Sequence, residues 1–384
     1  MQWIALDFWI VAVGALSAAA CAIPGCFLVL RRLSMMGDAI SHAVLPGLAA
    51  AFLITGSRDS APMFIGAVLT GVLTAFFVET VRRHGRVDEG AAMGVVFTSL
   101  FALGLILIRQ AADRVDLDPG CVLYGALEST VMPAVLETAR VREALASGDA
   151  SPWQALALWA GAVPRAAWVN GAVLLLNAGL VALFWKELKL AAFDPALAKA
   201  TGFRPGVMHH GLMAMTAITT VAAFETVGSI LVIAMLVAPA ATACLLARRL
   251  GRVLVLSVVI ALACAVLGHW SAVAIPARLG LPDTSTAGMM ATCAGVLFAL
   301  AWVLSPGQGL LAGAAARGAL WLQITRDDVL AHLYRAEELD GAGGPRSSAA
   351  ATASSLHQSP LAVGLALRWL RARGRVTGGR EALA

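Results

Sequence analysis

The sequence predicts an all-α polytopic membrane protein, with about eight or nine transmembrane helices and a short α-helical cytoplasmic tail. Three observations lead there. The chain of 384 residues is 59% hydrophobic and 13% charged, with mean hydropathy +0.81, more apolar surface than one soluble core can hide. Apolar runs of about 20 residues recur up to Pro306, each long enough to cross a hydrocarbon layer of roughly 30 Å. Basic clusters fall in alternate loops: Arg31 and Arg32; Arg82, Arg83 and Arg86; Lys186, Lys189, Lys199 and Arg204; Arg248, Arg249 and Arg252. That alternation marks cytoplasmic segments and explains the net charge of +5 without a nucleic-acid partner.

In order, the spans are 8–30, 36–56, 61–81, 91–109, 169–187, 207–223, 226–247, 253–275 and 284–304. The first begins after Asp7 without a basic leader, so it reads as a retained span with its amino end outside. Basic clusters flank the stretch from Val207 to Ala247 on both sides, so it makes an even number of crossings or a broken half-crossing. A tight turn near Glu225 and Gly228 gives nine crossings; the broken helix gives eight. The outward loops hold Arg58 and Asp59, the stretch from Gln110 to Trp168, and the segment from Arg278 to Asp283. Within the long loop, Pro152 to Val163 reads as an interfacial or re-entrant helix.

Residues 1–306 form the membrane domain and residues 307–384 a soluble tail. The tail predicts helices over 326–339, 347–356 and 359–373, with a flexible GAGGPRSSAAATASS string after the first. The six cysteines include no CxxC pair, and most lie in apolar spans as small packing residues. The lysines are Lys186, Lys189 and Lys199, none after glycine, so there is no phosphate-binding loop and any ATP-driven motor is a separate subunit.

The chemistry concentrates in RRLSMMGDAISHAVLPG. Asp38 and His42 stand four apart, on one helix face, at the start of an apolar span. With the helix starting near Ser34, His42 lies about 12 Å in, where ionisable groups are costly outside a transport pathway. A nitrogen and a carboxylate oxygen suit manganese, zinc or iron rather than calcium or magnesium. The same spacing also fits Asp38 as a cap and His42 bonded to a carbonyl. Glu225 either completes the ligand shell or caps the helix that follows. His269 is a candidate at the outer mouth; His209 and His210 read as interfacial anchors; Asp113, Asp116 and Asp118 are loop carboxylates that would collect cations. In FDPALAKATG, Asp194 caps, Pro195 takes the first helical position, Ala198 lies mid-turn and Gly202 ends a short helix at the cytoplasmic surface.

Five ordered blocks resemble the manganese, zinc and iron permeases of ABC transporters, in the longer form with a carboxyl-terminal extension. They are RRLSMMGDAISHAVLPG, GVVFTSLFALGLILI, VDLDPGCVLYGALE, KELKLAAFDPALAKATGF and FETVGSILVIAMLVAPAATACLLARRL. The resemblance implies that Asp38 and His42 line the translocation pathway. It implies that Asp194 to Gly202 is the coupling helix that docks on a cytoplasmic ABC ATPase subunit. An extracytoplasmic metal-binding protein, a second permease copy or sister permease, and the lipid of the inner membrane are the other partners implied. The metal is cargo, with no permanent cofactor, and the chain is not itself an enzyme. The tail resembles the winged-helix extension of longer members but lacks the strands after GGREALA, so DNA binding is not carried over and no nucleic-acid partner is expected. The rival readings are a secondary metal transporter without an ATPase, a cobalamin or siderophore ABC permease, and a membrane-tethered regulator.

Overall fold

The computed structural model describes residues 5–56, 60–112, 127–128, 130–134, 163–280, 284–307, 309–340 and 349–376. Outside them lie Arg58, Asp59, Asp113, Asp116, Asp118, Cys121, Tyr124, Asp283 and nearly all of the expected interfacial helix at 152–163. The chain divides into two compact units, Met1–Ala301 and Trp302–Ala384.

In the first unit α1 (Ala5–Leu30) is central, with Val13, Cys21, Cys26 and Phe27 fully buried. α2 (Met36–Ala43) and α3 (Leu45–Thr55) form one span interrupted at Val44, because Pro46 has no amide to donate to the carbonyl of His42. α4 (Ser60–Gly85) and α5 (Glu89–Ala112) pack on that span. α6 (Arg165–Leu183) is followed by α7 (Trp185–Phe193) and α8 (Pro195–Ala200). Then come α9 (Pro205–Leu246), α10 (Leu250–Leu279) and α11 (Thr286–Leu304). Among the described residues eight helices are long and apolar enough to cross a membrane, counting α2 with α3 as one.

α9 is two antiparallel arms. Its break is at Gly228, whose φ of 77° and ψ of 169° lie outside the helical region and in one that only glycine visits readily. Two contacts with α1 show the reversal. Thr219 shares a hydrogen-bond donor with Ala20, while the carbonyl of Leu236 sits where a Cβ on Gly25 would be. Those α1 positions are about 8 Å apart along the axis, whereas an unbroken helix from Thr219 to Leu236 would run about 25 Å. The arms, about 34 and 27 Å long, each match the membrane's apolar thickness. Of the two sequence readings, the tight turn is the one observed, so that among the described residues the eight helices supply nine apolar lengths fit to cross a membrane.

Helix directions follow from their contacts. The start of α9 meets Arg31 and Glu79, and the start of α10 meets the end of α1 through Ser257 Oγ to the Ala22 carbonyl (3.3 Å). These termini share one end of the bundle, rich in arginine, called here the basic end. At the opposite end His269 of α10 meets Asp7 of α1 and Thr286 of α11, so α11 returns the chain to the basic end before the tail.

A polar seam fixes α6. Asn170 and Asn177, seven residues apart and fully buried, donate across to Thr226 (3.3 Å) and Thr219 (2.8 Å) of α9. In a hydrocarbon medium, where apolar burial gives helices little reason to associate, such bonds select the partner and register.

The second unit contains α12 (Leu310–Asp340), α13 (Ala349–Ser355) and α14 (Pro360–Ala372), joined by a small core of Val329, Ala353, Val363, Ala366, Leu367 and Leu370. α12 starts at Leu310 rather than at the expected residue 326, since LLAGAAARGALWLQ consists mainly of strong helix formers even without an amphipathic period. Part of the string read as flexible is likewise helical, as α13.

Candidate functional site

α2 presents two faces. Met36, Gly37, Ala39, Ile40, Ser41 and Ala43 are buried, with Gly37 pressed so closely on Leu236 that a Cβ there would come 2.5 Å from its Cδ1. The other face carries Asp38 and His42, whose side chains remain 39% and 25% exposed. Their Nε2 and Oδ1 atoms are 3.4 Å apart. Two ligands each ~2.1 Å from one tetrahedral ion stand about 3.4 Å from each other, and the pair has that spacing. The His42 ring is held by Phe97 and Phe101 of α5, with centroids 5.6 and 6.1 Å away, and Ser41 Oγ donates to the Asp38 carbonyl at 2.8 Å.

Among the described residues no third His, Cys, Asp or Glu joins this pair in a group able to hold a metal. Glu225 is exposed, three residues before the Gly228 break, and is not brought to Asp38 and His42. One further oxygen is available by backbone logic: Pro46 leaves the His42 carbonyl without its i+4 amide.

Asp194 to Gly202 forms a separately bounded unit. Asp194 Oδ1 accepts from the Leu197 amide at 2.9 Å, Pro195 opens α8, and Ala198 is fully buried. Phe203 N donates to the Ala198 carbonyl and Gly202 N to the Lys199 carbonyl, with Gly202 at φ 86°, the paired bonds of a Schellman ending. Around it Phe193, Leu197 and Phe203 are exposed, leaving a capped helix with an apolar surface.

Sequence reasoning missed a buried polar cluster at the basic end. Glu79, buried in α4, accepts from Arg82 at 2.9 Å and pairs with Arg83; His209 Nε2 stands 3.6 Å from it, and Arg31 Nη1 stands 3.4 Å from His209 Nδ1. This corrects the reading of His209 as an interfacial anchor: it is buried between Glu79 of α4 and Arg31 just after α1, because a buried polar ring needs hydrogen-bonding partners. His210 is exposed. A lone Glu inside an apolar run with Arg three and four residues later was the available signal. At the opposite end His269 is within 3.3 Å of Asp7 Oδ1 and 3.4 Å of Thr286 Oγ1, while Glu128 accepts from the Thr286 amide at 3.1 Å.

Fold and site together define a multi-pass helical membrane protein that carries a His–carboxylate pair inside one span. The chain belongs to the ABC 3 transport family, whose model matches residues 5–136 and 164–305. It is 40% identical over 306 residues to the manganese transport system membrane protein MntD of Bacillus subtilis, covering 79% of this chain and 94% of that one. It is 37% identical over 324 residues to the zinc transport system membrane protein TroD of Treponema pallidum, covering 84% and 81%. Among solved structures, PsaBC from Streptococcus pneumoniae in complex with Fab superposes with TM-score 0.60 at 27% identity, over 80% of this chain and 94% of that one.

Proposed function

We propose that this chain is the membrane-spanning permease subunit of an ATP-driven importer for a divalent transition metal ion, with manganese and zinc first among the cargoes and iron a third. The observation that carries this reading is the chelate spacing of Asp38 and His42, 3.4 Å apart in a span of a family whose relatives bear manganese and zinc transport names. An imidazole and a carboxylate compensate part of the ion's lost hydration, and two side chains leave the ion weakly enough held to move on. The His42 carbonyl adds an oxygen, and Glu225 contributes at another stage of the passage or from a second permease copy.

In this reading residues 1–306 are the permease domain and residues 307–384 its tail, in the inner membrane, with the basic end and the carboxyl terminus cytoplasmic. α8 is the coupling helix: its exposed apolar surface docks on the ATPase subunit that hydrolyses ATP, and its two caps make it rigid enough to transmit that subunit's motion. An extracytoplasmic metal-binding protein delivers the ion at the opposite end, and a second copy or sister permease completes the pathway.

The test is uptake of radiolabelled manganese and zinc by cells coexpressing the ATPase and binding protein with wild type, Asp38→Ala or His42→Ala. Loss of uptake with retained ATPase assembly supports the assignment. Uptake unchanged by both substitutions places the ion path elsewhere, and uptake without any ATPase subunit returns the secondary-transporter reading.

A further inference from the structure

The helices α13 and α14 with their intervening turn give the second unit a helix-turn-helix outline, yet the outward face of α14 is not built to read a nucleic acid. Its buried face supplies Val363, Ala366, Leu367 and Leu370 to the small core, and Ala362 is buried as well. Its outward face presents Leu361 (83% exposed), Leu365 (55%) and Trp369 (38%), one turn apart each time. A helix that reads base edges carries polar donors and acceptors in its first turns; here the first two outward positions are leucines. Arg368 follows on the same face, and the guanidinium groups of Arg326 (4.0 Å) and Arg373 (4.4 Å) both lie over the ring of Trp369. From Ala349 to Val376 the chain carries Arg368, Arg371, Arg373 and Arg375 and neither Asp nor Glu.

Exposed leucines and a tryptophan ringed by arginines form an amphipathic surface of the kind that lies in a lipid headgroup layer. The occupant follows from charge and tether. The segment bears only positive charge, which an anionic bilayer surface complements, and it hangs from a chain that has just left the membrane at Leu304, so such a surface is always at high effective concentration. The stretch between points the same way: Leu310, Leu311, Leu320, Trp321 and Ile324 are all exposed on α12. We propose that the tail is a lipid-docking module, in which Leu361, Leu365 and Trp369 insert among the headgroups of an anionic leaflet and the α14 arginines hold their phosphates. That this is the cytoplasmic leaflet rests on the topology proposed above; the docking itself does not depend on transport.

The experiment uses the full-length chain in nanodiscs of phosphatidylcholine alone or mixed with phosphatidylglycerol, following hydrogen exchange of amides 361–372. Exchange is expected to slow about tenfold in the anionic discs, an effect reversed by about 0.5 M salt. It is also expected to disappear in Leu361→Glu/Leu365→Glu. Both positions are exposed, so the variant keeps the core, which equal exchange of variant and wild type in detergent verifies. Equal exchange in the two kinds of disc overturns the proposal. Protection that instead requires the ATPase subunit, duplex DNA or a higher concentration of the chain in detergent overturns it in favour of that partner. Because the readout is exchange and not uptake, its failure leaves the metal pathway standing, and failure of the uptake test leaves docking standing.

Discussion

Asn177 gives Ala20 the hydrogen bond that Pro24 takes away. Pro24, inside α1, has no amide for the carbonyl four residues earlier, and Asn177 Nδ2 reaches across from α6 to that carbonyl at 3.1 Å while also bonding Thr219 of α9. One side chain thus satisfies a break in the central helix and ties three helices at a depth where water cannot substitute.

This linkage is measurable as a double-mutant cycle. Asn177→Leu should lower thermal stability in detergent by about 1–2 kcal/mol, and the loss should shrink when Pro24→Ala restores the amide. Additive losses would show that the proline and the asparagine are independent.

At the α9 turn, Gly228→Ala forces a Cβ onto a backbone with φ 77° and ψ 169°. A cost of about 1–3 kcal/mol is expected, read as lower yield of folded protein and a lower Tm. Gly25→Ala should behave alike for a different reason, since its Cβ would overlap the Leu236 carbonyl that marks the returning arm. Wild-type stability in both would place the turn elsewhere in α9.

For α8, Asp194→Ala removes the acceptor of the Leu197 amide and should cost about 1 kcal/mol locally. Because α8 is short and at the surface, the bundle should stay folded while copurification of the ATPase subunit falls several-fold. Asp194→Ser, which also caps, should recover most of the binding; equal loss in both variants would implicate the charge and not the cap.

His42→Asp converts the nitrogen–oxygen pair into two carboxylates. Uptake should then shift from zinc toward manganese, seen as a lower ratio of zinc to manganese transported in a competition assay, because harder ions favour oxygen. An unchanged ratio would mean that selectivity is set before the ion reaches this span.

Much of this was legible in the residues. Asp38 and His42 share a face because four residues make a little more than one helical turn, and the ends of α8 follow from Asp194, Pro195 and Gly202, whose preferences are local. The basic clusters on either side of α9 limited it to a tight turn or a broken half-crossing, a constraint that needs no coordinates, and the break at Gly228 decided between the two. The cluster of Arg31, His209 and Glu79 was legible only at Glu79, which Arg82 and Arg83 follow on the same helix; Arg31 and His209 come from distant parts of the chain, and each reads alone as an ordinary boundary residue. Glu225 shows the converse: an acidic residue in apolar sequence marks an unusual position but not the group it faces, and it is not grouped with Asp38 and His42.

Periodicity, apolar length and basic clusters were therefore sufficient for membrane class, span order, the even crossing of α9 and the one-turn pairing of Asp38 with His42, because each depends on interactions within a few residues or with a uniform solvent. Folding in three dimensions settled the rest. It brought Asn177 to the carbonyl exposed by Pro24, seated the returning arm of α9 on Gly25, buried Glu79 among arginines and turned leucines of α14 outward. Those outcomes depend on which helix surfaces meet, and residues hundreds of positions apart become neighbours only through packing that no local pattern encodes.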